Sequence, residues 1–310
     1  MNVQSISIVV PTKKCVNNCK FCVSKMHENH YQNHFDKNNI TKRIKYAVNN
    51  GVNTCIITGT GEALQNRAFL NNLVEIFDEM GHPFPNVELQ TSGVLLTNFV
   101  EMNEVVNDKE TENKIKLYSN IDLLNRLRVN TISLSVSNIF DDERNNEIIG
   151  TPSGQKINLK ELTSFIKERH FNLRLSLNMT SDYDSKSYLE ILDRCKELKA
   201  DQITFRKLYA DDDGSEESQW VFKNKYDHFK FNELKYFIKG YPDTLGDKKG
   251  IGTPLYRLPF GAMVYSYNGM SIAIDSDCMS KEDNEKLKYV IIREDGKLYC
   301  RWDDKGSLIF

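Results

Sequence analysis

The chain has 310 residues, 40% of them hydrophobic, with 41 basic against 43 acidic side chains and a formal net charge of -2. That length suits one large α/β barrel, alone or with a small appendage. No run of about eighteen apolar residues offers a membrane span, and a near-neutral chain has no electrostatic case for gripping DNA or another phosphate backbone.

In chain order, the β-branched run at residues 5–11 predicts a buried strand. It is followed at once by Cys15-Val16-Asn17-Asn18-Cys19-Lys20-Phe21-Cys22, three thiols in one loop. Ile40, Ile44, Ala47 and Val48 recur at helical spacing and stop at Asn49-Asn50-Gly51. Residues 53–58 form the second strand, with Cys55 read as a small buried hydrophobe. A helical stripe at Leu70, Leu73, Val74 and Phe77 leads through a turn at His82-Pro83-Phe84-Pro85 to a strand over 87–91. Residues 98–115 are polar and acidic, an inserted helix or loop, and a helix over 115–127 precedes the strand at 131–136. A helix near 158–169, a strand at 172–178, a helix with Tyr188, Ile191, Leu192 and Cys195 on one face, and a strand at 202–206 complete the series.

Six strand–helix alternations predict parallel pairing with right-handed crossovers. Polar residues share one parity on strand four (Ser133, Ser135, Ser137) and on strand five (Arg174, Ser176, Asn178). A fully packed barrel buries apolar side chains on both faces, so this parity predicts a lumen that holds a ligand, with reactive groups at the carboxyl ends of the strands. Past residue 206 the rhythm stops. Residues 211–217 read as an acidic solvated loop, 226–239 as a helix and 240–259 as a Gly- and Pro-containing connector. Residues 261–277 and 287–310 read as hairpins turning at Asn268-Gly269 and Asp295-Gly296. The expected division is a barrel over 1–210 and a β-rich C-terminal extension over 211–310.

The cysteine loop carries the chemistry. Three thiolates can hold one face of an iron–sulfur cube, leaving the fourth iron without a protein ligand, and an open metal position is what a catalytic centre needs. The bland alternatives are a zinc knuckle completed by His27, His30 or His34, making the chain a non-catalytic zinc-binding protein, and a chance cluster of buried thiols. Seven cysteines, an odd count, argue against a disulfide framework and for a reducing cytoplasm. Met1-Asn2-Val3-Gln4 has no signal-peptide pattern.

Cys15-x3-Cys19-x2-Cys22, with aromatic Phe21 before the third cysteine, resembles the signature of radical S-adenosylmethionine (radical SAM) enzymes. The resemblance implies an α/β partial (β/α)6 TIM-type barrel, here with a C-terminal β-rich extension. It implies a 4Fe-4S cluster on Cys15, Cys19 and Cys22, with SAM chelating the open iron through its amino and carboxylate groups. One electron would release methionine and a 5′-deoxyadenosyl radical, which abstracts hydrogen from a substrate. Gly59-Thr60-Gly61-Glu62 after strand two resembles the family's glycine-rich motif and would contact the methionyl amino group, although Ala63 stands where proline often follows. Thr91-Ser92-Gly93 resembles the turn after strand three. Ser135 and Asn178 lie where such enzymes place groups for the ribose and carboxylate of SAM, and Arg174 and Arg206 are candidates to fork onto a carboxylate.

Lys13, Lys14, Lys20 and Lys25 surround the loop, an edge suited to steering an acidic electron donor such as flavodoxin or ferredoxin. Cys278 and Cys300 in the tail are too few for a second cluster; Cys278, in Asp275-Ser276-Asp277-Cys278, is the candidate hydrogen-atom donor. Tyr256, Arg257, Tyr265 and Asp275 are candidates for the barrel mouth. A small metabolite or nucleoside is the preferred substrate class; a ribosomally made peptide, RNA and a glycyl-radical partner enzyme are the alternatives.

Overall fold

Alternation of β-branched and polar residues builds six parallel strands: β1 (Ser5–Val10), β2 (Thr54–Gly59), β3 (Asn86–Thr91), β4 (Thr131–Val136), β5 (Asn172–Met179) and β6 (Gln202–Lys207). They neighbour one another in sequence order, and every adjacent pair is parallel. This computed structural model describes residues 3–26, 35–97, 120–211, 214–241, 249–257, 263–274, 289–302 and 305–310. His27, His30, His34, the acidic insertion, Asp275 and Cys278 lie outside the described residues.

The helices are α1 (Val23–Met26), α2 (Lys37–Asn49), α3 (Arg67–Glu79), α4 (120–126), α5 (Asp142–Ile149), α6 (Leu159–Glu168), α7 (Tyr188–Glu197), α8 (Glu216–Asn224) and α9 (His228–Lys239). One parity of each barrel strand faces the helices and is buried: Ile6 and Ile8, Cys55 and Ile57, Leu89, Ile132 and Leu134, Leu173 and Leu175, and Ile203 and Phe205. Removing this apolar surface from water is the main stabilising term, about 25 cal/mol per Å². Cys55 and Cys195 lie in this core as read. The other parity brings Ser135, Ser176 and Thr204 into register, with Asn178 beside Arg206 one step nearer the carboxyl ends.

Two helices depart from the sequence reading. α5 is mostly polar, and its apolar positions are confined to Ile148 and Ile149, too few to show a period. It forms because Asp141 accepts a hydrogen bond from Arg144 N (3.0 Å) at one end and Gly150 adopts φ +65° at the other. The stretch read as a solvated acidic loop instead turns helical at its end. Ser215 caps α8 by accepting from Ser218 N (3.1 Å), and Glu216 and Glu217 fill the first turn, where the helix dipole favours negative charge.

The tail does more than form hairpins. β7 (Thr253–Arg257) lies inside the stretch read as a connector. β8 (Met263–Tyr267) and β9 (Met270–Ala273) form the hairpin at Asn268-Gly269, and β9 pairs parallel to β6. β10 (Tyr289–Ile292) pairs parallel to β1, with β11 (Leu298–Tyr299) antiparallel outside it. The described strands thus form one 11-stranded sheet, β11-β10-β1-β2-β3-β4-β5-β6-β9-β8-β7, extended by the tail on both edges. No described helix is long and apolar enough to cross a membrane.

Candidate functional site

The loop leaving β1 is held from three sides. From the turn after β2, Gln65 accepts from Val16 N (2.8 Å) and donates to Lys14 O (3.2 Å), while Asn66 donates to Pro11 O (2.8 Å). From the end of α5, Gly150 O accepts from Asn18 N and Ile148 O from Lys20 N, both at 3.0 Å. From the tail, Trp220 on α8 packs its ring 6.1 Å from that of Phe21, and Glu217 pairs with Lys25 at 3.2 Å. Gln65, Gly150, Glu217 and Trp220 were not singled out in the sequence. Their partners are 49 or more residues away, apart from signals as faint as one of two tryptophans.

The loop encloses a cavity of about 570 Å³, a size that suits a small ligand. Cys15, Cys19 and Cys22 all line it, together with Thr12, Asn17 and Thr60. Lys13, Lys14 and Lys25 bring positive charge to its wall, and Glu294, in the turn after β10, brings a carboxylate. Burial raises the Cys15 thiol, against the hydrogen bonds from the backbone N–H groups of Asn17 and Glu62. Cys19 is pushed up to about 12, chiefly by burial and then by Cys22 and Cys15. Such thiols shed their protons when a metal takes their place.

Gly61 meets the loop at close range, where any side chain would press on it. A Cβ there would lie 3.0 Å from Cys15 Cβ and 3.2 Å from Cys15 Cα. Thr60 beside it joins the strand ends, its hydroxyl accepting from Thr12 N (3.1 Å). Glu62 is 3% exposed, and its carboxylate accepts from Thr91 Oγ1 (2.6 Å), Ser92 N (3.0 Å) and Ser92 Oγ (2.7 Å). Burial holds this carboxyl above its usual range, against the pull of those hydrogen bonds. The side chains of Glu62 and Thr91 are therefore committed to each other and tie the Gly59–Glu62 turn to β3.

Arg174 is a correction. It is the third residue of β5, far from that strand's carboxyl end, and its guanidinium is spent on Glu88 and on Gln202 (2.7 Å). Glu88 is 4% exposed, so the ion pair satisfies a buried carboxylate rather than awaiting a ligand. Arg174→Met is expected to lower stability by about 2 kcal/mol, the loss typical of a hydrogen bond to a charged group, in equilibrium urea unfolding. An unchanged midpoint would show that Glu88 finds water instead. Arg206, by contrast, lies half-buried one residue before the end of β6 and makes no contact with another described polar side chain; Ser135 and Asn178 are similarly unengaged, and Ser176 Oγ is buried without a partner among the described residues. Tyr256 and Arg257 are exposed on β7, at the sheet's outer edge, whereas Tyr265 is buried. Cys300 is half-buried in the tail, outside the cavity wall.

A model of the radical SAM superfamily matches residues 9–199. Among solved structures, SuiB of Streptococcus suis bound to S-adenosylmethionine is similar over 97% of this chain and 60% of its own, with a TM-score of 0.57 and 18% identity. The enzyme anSMEcpe with bound AdoMet is similar over 99% of this chain and 77% of its own, with a TM-score of 0.54 and 13% identity. These likenesses show the fold, and the chain spans 60% of the length of SuiB. Comparison with curated proteins finds no match.

Proposed function

Because the chain belongs to the radical SAM superfamily, whose enzymes use a 4Fe-4S cluster and S-adenosylmethionine, we propose that Cys15, Cys19 and Cys22 hold that cluster and that the lumen receives the substrate. One observation carries the reading: the three thiols line a single cavity at the carboxyl end of β1, inside the matched segment. Among the described residues no three His, Cys, Asp or Glu side chains are grouped to hold one metal ion. A cube takes its three protein ligands from these thiols alone, whereas a zinc knuckle would need a fourth protein ligand.

When bound, the reduced cluster supplies the electron that splits SAM into methionine and a 5′-deoxyadenosyl radical. The protein's share is binding, orientation and exclusion of water. Gly59, Thr60, Gly61 and Glu62 bring backbone groups to the methionyl end, with Glu62 and Thr91 acting from behind as positioning residues. Ser135 and Asn178 are placed to hydrogen-bond the ribose and carboxylate, and Arg206 has free donors for a carboxylate. Ser176 and Thr204, in the same polar row, suit a small polar metabolite or nucleoside. The free thiols in the cavity favour a reducing compartment, and Cys278 stays a proposed hydrogen-atom donor.

The test uses anaerobically reconstituted protein. Electron paramagnetic resonance of the reduced cluster should change on adding SAM, with 5′-deoxyadenosine formed in the same tube. Zinc in place of iron, or a spectrum indifferent to SAM, would overturn the reading.

Lys13, Lys14 and Lys20 are exposed beside the cavity, and their ammonium groups make no contact with another described residue's polar groups, which supports docking of an acidic flavodoxin or ferredoxin. Lys13→Glu with Lys14→Glu is expected to slow reduction by flavodoxin about 10-fold or more at low salt. Reduction by dithionite should be unaffected. A flavodoxin rate independent of ionic strength removes the steering role.

A further inference from the structure

The cysteine cavity has acceptor oxygens in its wall with nothing to accept. Asn17, midway between Cys15 and Cys19, is 7% exposed and lines the cavity. Its Nδ2 donates to Ser92 Oγ (2.8 Å), while its Oδ1 is buried without a partner among the described residues. Thr12 Oγ1, on the same wall, is a second such oxygen.

The orientation of the Asn17 amide follows from counting hydrogens. Ser92 has one hydroxyl hydrogen, and it is donated to Glu62 (2.7 Å). The Ser92 oxygen therefore offers only lone pairs to Asn17, which must present its NH2 group. A flipped amide would set Oδ1 against those lone pairs. The same order holds on the other side of the carboxylate, where Thr91 Oγ1 accepts from Gly93 N (2.9 Å) and donates to Glu62 (2.6 Å). Every hydrogen around Glu62 points inward. Asn17 stands at the outer end of this chain, so the unpaired acceptor of this cavity-lining residue is its Oδ1. A buried acceptor is costly unless a donor arrives.

We propose that Asn17 is a binding residue of the cavity, its Oδ1 accepting a hydrogen bond from the α-amino group of S-adenosylmethionine. The inference rests on the cluster reading above. The amine is the fitting donor because Asn17 is flanked by two of the three thiols, at the end of the cavity where the amino acid portion must sit. Ribose hydroxyls and the adenine amine belong to the far end of the ligand. Through Ser92, the buried Glu62 becomes an element of ligand recognition without touching the ligand.

The test is the dissociation constant for SAM, from equilibrium dialysis on reconstituted protein, expressed per cluster. Asn17→Leu keeps the shape and removes the acceptor; it should weaken SAM at least about 10-fold at wild-type iron content. The ligand 5′-methylthioadenosine, which lacks the amino acid portion, should bind wild type and Asn17→Leu equally. An unchanged SAM constant in Asn17→Leu overturns the proposal. So does equal loss for 5′-methylthioadenosine. If Asn17→Leu takes up no iron, Ser92→Ala, which frees the amide to flip, is scored by the same ratio of the two ligands. A wild-type protein without iron or SAM binding would fail the cluster reading instead.

Discussion

Cys19→Ser is expected to bring iron and acid-labile sulfide in reconstituted protein down to background and to cut 5′-deoxyadenosine formation by more than about 100-fold. Cys19 is the sharpest place to test the cluster. Its thiol is pushed up to about 12, chiefly by burial and then by its two sulfur neighbours. A serine hydroxyl there gives up its proton far less readily than a thiol, and oxygen is a poorer match than thiolate for an iron–sulfur centre. Loss of one of three ligands also leaves two irons exposed rather than one. Cys300→Ser is the control, since Cys300 is outside the cavity wall, and it should retain full iron. Full iron, sulfide and SAM cleavage in Cys19→Ser would mean that the loop does not ligate the cluster through this residue.

Gly150→Ala is expected to cost about 2–4 kcal/mol of stability in urea unfolding and to lower cluster occupancy with it. Two penalties combine. Gly150 has φ +65°, a conformation that L side chains rarely adopt, and a Cβ there would lie 2.5 Å from Asn18 O and 2.7 Å from Asn18 C. Those atoms are backbone, so no side chain can swing away. Separation is also resisted, because Asn18 N and Lys20 N donate to the last carbonyls of this helix end at 3.0 Å. Relief therefore moves the cysteine loop. Two controls divide the terms. Gly81→Ala carries φ +69° with nothing within 4 Å and should show only the conformational part, about 1 kcal/mol. Gly154→Ala has neither penalty and should be near neutral. If Gly150→Ala cost no more than Gly81→Ala, the contact with Asn18 would be soft and the loop would not depend on α5.

Local pattern carried much of the barrel. The runs read as strands at 5–11, 53–58 and 131–136 became Ser5–Val10, Thr54–Gly59 and Thr131–Val136, because alternation reports burial on one face of a pleated ladder. Ser187 with Glu190 closes α7 as a capping box, again a signal confined to four residues. α5 escaped because a capped helix needs few apolar residues when its neighbours supply the bonds. Arg174 was misassigned for a related reason: strand parity tells which face a side chain takes, but its depth and its partner Glu88, 86 residues away, depend on register.

The sequence by itself determined the spacing of three thiols, the glycine turn after the second strand and the alternation that makes a barrel, since each is set by neighbours within a few residues. Only the tertiary structure decided that the tail extends the sheet at both edges, that α5 and α8 clamp the cysteine loop, and that the Asn17 amide gives its NH2 to Ser92 and leaves its oxygen without a partner among the described residues. Those outcomes rest on parallel pairing of β10 with β1 and on a hydrogen bond between residues 75 positions apart. Such contacts are chosen by the packing of the whole chain, where every buried donor and acceptor must find its partner.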